Sequence, residues 1–223
     1  MSPLDAPAQA PPRMHVRKRS GALEPVDVTK IVRAVARSCE GLTRVDPLRV
    51  ATQTISGLYD GATTRELDEL SIRTAASLLV EEPEYGRLAA RLLAVYVNKE
   101  VQNQEIHSFS QSIAAAHRAG LVHDRLAAFV SSAARKLNAA VDPARTDLLE
   151  YFGLRTLYDR YLLRHPETRR VLETPQYLFL RVACALADSP AEAIDLYDLF
   201  SSLDYLPSSP TLFNAGARRE QLS

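Results

Sequence analysis

Cysteine is scarce. Two occur in 223 residues, Cys39 and Cys184, which excludes a disulfide framework and any zinc site built from paired C-x-x-C elements. That usage points to a reducing compartment. An excess of charge of one sign is also missing. Lysine plus arginine and aspartate plus glutamate both total 27, so no overall basic field exists to hold duplex nucleic acid, and any polyanion site must be local. No apolar run reaches the roughly 18 to 20 residues needed to span a bilayer. The opening MSPLDAPAQAPP has neither a basic n-region nor an apolar h-region. The expectation is a cytoplasmic protein with neither nucleic acid nor membrane as partner. The five histidines, at 15, 107, 117, 123 and 165, never fall at a metal-ligand spacing beside acidic residues or cysteines, so no metal is expected in this chain. A Gly-rich phosphate loop is absent too.

What is present is ordinary for a globular chain: 46% hydrophobic and 24% charged residues. A chain of this length buries roughly 70% of its unfolded surface if it forms one body. Four of the thirteen prolines fall within the first twelve residues, and residues 1–13 read as a flexible tail. From Met14 the pattern is extended, with a turn at Ser20-Gly21 and a second extended run from Leu23 to Val26, which predicts a hairpin. Asp27 is placed to cap a helix whose apolar stripe is Val28, Val32, Val35, Cys39 and Leu42. Asp46-Pro47 opens a second helix with Leu48, Ala51, Ile55 and Leu58 on its buried face. Thr63-Thr64 precedes a third, ending near Glu82-Pro83. A fourth, from about Glu84 to Val101, carries Leu88, Leu92, Val95 and Lys99 on one side. The first domain is expected over 14–103.

The polar run Gln102 to Gln111 reads as a linker, taken as 104–112. A mostly helical region is expected over 113–205, with a helix from His123 to Leu137 and a short one from Asp147 to Phe152. Tyr158–Leu163 and Arg169–Glu173 have the look of a hairpin across His165-Pro166. Thr174-Pro175 and Ser189-Pro190 launch two further helices. The last stretch, 206–223, is rich in turn residues. Cys39 and Cys184 lie on apolar helical stripes and read as small buried thiols. Tyr151, Tyr158 and Tyr161 read as packing residues.

One constellation is basic. Arg17, Lys18 and Arg19 lie on the first strand, Lys30 one turn into the first helix, and Lys99 at the end of the fourth. A nucleoside triphosphate needs several cations or backbone donors converging on it, and Glu24 and Asp27 add carboxylates able to accept from an adenine amino group or ribose hydroxyls. By spacing alone a solvated basic face is the competing reading, with Asp27 and Thr64 serving only as caps.

The order Val16-x-Lys18-Arg19-x-Gly21-x-x-Glu24-x-Val26-Asp27-x-x-Lys30-Ile31, then Thr64, then Tyr85…Leu88-Ala89-Ala90-Arg91-Leu92 and Lys99, resembles an ATP-cone. This is the allosteric nucleotide-binding domain at the front of many ribonucleotide reductase large subunits. The resemblance implies that Lys18, Arg19, Lys30 and Lys99 meet the phosphates of ATP or dATP. It implies that Glu24, Val26, Asp27 and Ile31 line the base and sugar, with Thr64 and Leu67 closing the pocket and Val16 in the same nucleotide site. Asp27 stands where the family's pattern has asparagine.

A second string, Pro207-Ser208-Ser209-Pro210-Thr211-Leu212-Phe213-Asn214-Ala215-Gly216, resembles the substrate-phosphate strand and turn of the same subunit, with Thr211 as the carried-over substrate contact. In the family this string runs into a redox cysteine, and the chain stops before it. The resemblance implies a mainly α (α+β) fold: a hairpin on a four-helix cone, then a helical region leading into a truncated α/β barrel. It also implies a ribonucleoside-diphosphate reductase with a radical-generating small subunit, whose radical cofactor lies in that subunit. Thioredoxin or glutaredoxin is the implied reductant, and the intact large subunit is implied to be a homodimer. This chain alone is expected to bind nucleotide without turnover. Two alternatives stand beside this reading. One is a stand-alone ATP-cone regulator, which in the family carries a four-cysteine zinc ribbon. The other is the cone-bearing part of a class II (adenosylcobalamin-dependent) or class III (glycyl-radical) reductase.

Overall fold

A computed structural model describes residues 14–18 and 21–222. The expected tail, 1–13, and Arg19 lie outside the described residues. The chain divides into two compact units, Met1–Leu92 and Leu93–Ser223, and the described residues are mainly helical with one small sheet.

In the first unit the hairpin forms as the sequence predicts. Strand β1 (His15–Arg17) pairs antiparallel with β2 (Leu23–Pro25), placing Val16 opposite Glu24. Gly21 turns the chain at φ +86, a backbone conformation that costs glycine nothing. A third strand, β3 (Ala62–Thr63), lies parallel to β1 and was not foreseen. It is held by Gly61 N–H donating to the His15 carbonyl at 2.8 Å and by Asp60 Oδ1 accepting from His15 N–H at 2.6 Å. That backbone donor, ahead of the His15 ring, holds the Asp60 carboxyl below its ordinary pKa.

Helix α1 (Val28–Ser38) is capped by Asp27, whose carboxylate accepts from Lys30 N–H at 3.2 Å. Helix α2 (Pro47–Ser56) is capped by Asp46 with proline in its first turn. Helix α3 (Thr64–Ser77) is capped by Thr63, not Thr64. Thr63 and Glu66 form a reciprocal capping box. The Glu66 carboxyl is held below the usual range, first by the Thr63 N–H and then by the Tyr59 and Thr63 hydroxyls. A folded-state pKa below the unfolded one means this cap contributes fully above the ordinary carboxylate range. The contribution is lost as pH falls through the lowered value. A 3-10 turn, Leu78–Val80, leads to α4 (Glu84–Gln102), and Arg91 closes the end of α1 by donating to the Ser38 and Glu40 carbonyls at 3.2 and 2.6 Å.

The expected apolar stripes are offset. Helix α1 buries Ile31, Val35 and Ser38, and α2 buries Val50, Ala51 and Thr54, while Leu48 is 60% exposed. Helix α4 buries Leu88, Leu93, Tyr96 and Val97 and leaves Val95 exposed. Counting only large apolar side chains misplaced each stripe, because small polar residues such as Ser38 and Thr54 occupy inward positions.

In the second unit α5 (Phe109–Arg118) begins inside the polar run that read as a linker. Its cap, Ser108, accepts from Gln111 N–H at 3.3 Å. The helix expected over His123 to Leu137 is two, α6 (Asp124–Ser132) and α7 (Ala134–Ala140), separated at Ala133. A 3-10 segment, Pro143–Leu148, precedes α8 (Tyr151–Thr156), which runs straight into a π turn, Leu157–Tyr161. The expected hairpin over 158–173 is therefore overturned. Its first half ends a helix, and of its pairing only an isolated bridge, Arg164 with Val171, exists.

Helices α9 (Pro175–Leu186) and α10 (Pro190–Ser201) start where Thr174-Pro175 and Ser189-Pro190 predict. Helix α9 is the centre of this unit, packed by α5, α6 and α10, and it buries Arg181 at 0% exposure in an ion pair with Glu173, also at 0%. The last helix, α11 (Ser209–Asn214), stands where a strand and turn were expected. Proline early in a helix costs it no hydrogen bond, so Ser209-Pro210 starts a helix. Gly216, at φ +78, approaches Leu126 so closely that a Cβ would lie 2.4 Å from its Cδ2.

Candidate functional site

Lys18 leaves the end of β1 on the face shared by Val16 and Glu24, and its Nζ lies 2.5 Å from Glu24 Oε1. Lys30, one turn into α1, places Nζ 3.9 Å from Asp27 Oδ2. All four side chains are about half exposed or more. The two lysines expected to meet phosphate are thus each set beside a carboxylate expected to meet the base or sugar. Exposed pairs of this kind are worth about 0–1 kcal/mol. A charge-assisted hydrogen bond is generally worth about 1.5–3 kcal/mol, so pairs this weak leave both lysines open to exchange of partner.

Below the hairpin, Val16, Leu58 and Ala62 form a small buried cluster against which Val26 and Leu67 pack. Ile31 is buried separately on the inner face of α1. Val16, Val26 and Leu67 are therefore brought together as an apolar floor, while Thr64 is half-buried at the first residue of α3. Lys99 is exposed near the end of α4 and belongs to the second unit.

Two cations escaped notice in the sequence. Arg33 and Arg37 follow Lys30 at i+3 and i+7 and are exposed on the same side of α1. The helical spacing was the available signal.

Thr211 lies within α11. Its hydroxyl donates to the Leu222 carbonyl at 3.2 Å and sits 3.1 Å from Ser208 Oγ. Neither thiol is poised for redox work: burial pushes Cys184 up to about 12 and the half-buried Cys39 up to about 11, and the thiolate is the reactive form. Among the described residues no group of three or more His, Cys, Asp or Glu is placed to hold a metal ion, and no helix is long and apolar enough to cross a membrane.

Residues 14–100, which include the hairpin and its basic rim, match the family described as "ATP cone domain". Residues 147–220 match the family described as "Ribonucleotide reductase, all-alpha domain". The chain carries these two domains in the order found in the N-terminal part of a ribonucleotide reductase large subunit. Relatives agree along nearly its whole length. It is 37% identical over 218 residues to the ribonucleoside-diphosphate reductase large subunit of Caenorhabditis elegans and 36% identical over 219 residues to the large chain of Schizosaccharomyces pombe. It is 32% identical over 219 residues to the large subunit of Vaccinia virus. Each comparison covers 94% of this chain but only 27–28% of the relative. The chain thus spans about a quarter of the length of these relatives.

Proposed function

We propose that this chain binds ATP and dATP as allosteric effectors of a ribonucleoside-diphosphate reductase. In this reading Lys18, Arg19, Lys30 and Lys99 take the phosphates. Glu24 and Asp27, released from their lysines, line the sugar and base together with Val26 and Ile31, beside Val16, and Thr64 and Leu67 close the pocket. The observation that carries the reading is the pairing of Lys18 with Glu24 and of Lys30 with Asp27 at the rim of a domain matching the ATP cone family. The cone is taken as 14–103 and the linker as 104–112. The helical region is then 113–205 and the start of the barrel 206–223.

Thr211 is assigned to the substrate phosphate of the assembled reductase. The diphosphate named for the relatives favours a ribonucleoside diphosphate as substrate, and the match over 147–220 favours a reductase over a stand-alone cone regulator. Partners are a small subunit holding the radical cofactor, thioredoxin or glutaredoxin, and a second large subunit, in the cytoplasm. The chain by itself is taken to reduce no ribonucleotide. Supplied with a small subunit and thioredoxin it is expected to form no deoxyribonucleotide, and measurable product would contradict this. The effector reading is tested by calorimetry on the full chain: ATP is expected to bind at one site from which dATP displaces it, and no heat, or two independent sites, would refute it.

A further inference from the structure

We infer that the C-terminal end of α10 is a docking face for a basic amphipathic helix of a partner protein. The face lies on the second unit and shares no residue with the nucleotide or substrate assignments.

Four large apolar side chains stand in solvent there: Leu199 at 45%, Leu203 at 36%, Tyr205 at 59% and Leu206 at 50% exposure. Single apolar side chains scattered over a surface are ordinary, whereas a gathered group with a polar rim marks a contact surface. The backbone gathers this one. Leu203 N–H donates to the Phe200 carbonyl and Tyr205 N–H to the Leu199 carbonyl, both at 3.2 Å, so the chain folds back on the last turn of the helix. The Tyr205 ring lies 6.0 Å from that of the buried Phe200.

Leu203 is the unusual member. Its φ is +65, in the left-handed region where helices ordinarily end on glycine or asparagine. Of the three described non-glycine residues with positive φ, it alone is apolar. A leucine there strains the backbone, and over a third of its side chain is left in water. Glycine or asparagine would serve folding better at this position. Strain held at an exposed apolar residue points to a use outside the fold.

The rim sets the charge of the partner. Between Arg181 and Arg218 the sequence has no lysine, arginine or histidine but five carboxylates, Asp188, Glu192, Asp195, Asp198 and Asp204. The last three, with Leu199, Ser202 and Arg145, line an open cleft of about 550 Å³. Two of them are held in place: Asp198 accepts from Arg145 at 2.6 Å and Asp204 from the Ser202 hydroxyl at 2.7 Å. The last turn of α10 has no basic residue of its own, and the carbonyl end of a helix favours cations. A second copy presenting the same face would set carboxylate against carboxylate, which disfavours a two-fold pairing. A helix with apolar residues at i, i+3, i+4 and i+7, flanked by lysine or arginine, suits both the apolar group and its rim.

The test is fluorescence anisotropy on the full chain with a labelled helical peptide of about 18 residues, leucine on one face and lysine on the other, and hydrogen exchange to locate it. The peptide is expected to bind, to slow exchange at residues 199–206 by about fivefold or more, and to bind more weakly as salt rises. Leu203→Asn suits the left-handed backbone. It should leave the melting temperature unchanged or raised and cut affinity by about fivefold or more. Asp195→Asn combined with Asp204→Asn should cut affinity by a similar factor and flatten the salt dependence, and it serves the same purpose where Leu203→Asn does not fold. The counterpart peptide with glutamate for lysine should not bind. No binding of the lysine peptide, equal binding of both peptides, protection confined to other residues, or full affinity in both variants overturns the proposal. Self-association of the chain through 199–206, seen by sedimentation, overturns it by making the occupant a second copy. A face closed to the peptide in an intact large subunit overturns it by assigning the face to that subunit's own interior.

Discussion

Replacing Arg181 with alanine is expected to cost about 3–5 kcal/mol, because it strands a wholly buried carboxylate at Glu173. The guanidinium sits at 0% exposure with three of its donors used: Nε and Nη2 on the two Glu173 oxygens at 2.9 and 3.0 Å, and Nη1 on the Ala215 carbonyl. Removal leaves the Ala215 carbonyl without that donor and a carboxylate whose remaining partner is the Leu163 N–H. At about 2–4 °C per kcal/mol for a body of this size, the melting temperature of the second unit should fall by roughly 10 °C. The double variant Glu173→Leu/Arg181→Met should recover most of the loss, since a buried ion pair is generally replaceable by apolar residues of similar volume. A shift below about 3 °C for Arg181→Ala, a size typical of surface substitutions, would contradict this account, as would a double variant no more stable than the single. Differential scanning calorimetry of the full chain measures both.

The second large effect concerns the effector. Lys30→Ala removes a cation with 73% of its side chain exposed, so its effect on folding should be small. Each lysine contact to phosphate is worth about 1.5–3 kcal/mol, so ATP affinity should drop by about 10- to 100-fold, and that of Lys18→Ala by a similar factor. The wild-type affinity should also weaken as salt rises, because the cations are solvated and their fields screened within about 10 Å at 0.1 M. Arg33→Ala and Arg37→Ala distinguish a broad basic face from a discrete pocket. A pocket predicts losses well below that of Lys30→Ala, whereas equal losses across Lys30, Arg33 and Arg37 would mean that the whole face of α1 attracts the anion.

Much of this was readable beforehand where the cause is local. Asp27, Asp46-Pro47, Thr174-Pro175 and Ser189-Pro190 mark helix starts because a side-chain oxygen satisfies nearby backbone N–H groups, and each marks one here. The hairpin over 15–25 was legible from its extended runs and Gly21. What escaped depends on partners far along the chain. Two residues, Ala62–Thr63, become a strand only because β1 offers an open edge. The π turn holds Tyr158, whose hydroxyl donates to Glu100, 58 positions away, and nothing near Tyr158 announces it. Arg181 lies in the otherwise apolar stretch Leu178–Ala183, and its burial depends on Glu173, which lies outside that helix.

The candidate site follows the same division. Lys18 and Lys30 stood out through their place in a motif. That each is held by its own carboxylate, and that Thr63 and not Thr64 caps α3, required the fold.

Photo-labelling the full chain with an azido-adenine ATP, chased by unlabelled ATP, tests the nucleotide assignment most directly. The label is expected in peptides within 14–31 or 62–67, removed by the chase and by Lys30→Ala. Label confined to 147–220, or label in the first unit that survives both, would contradict it.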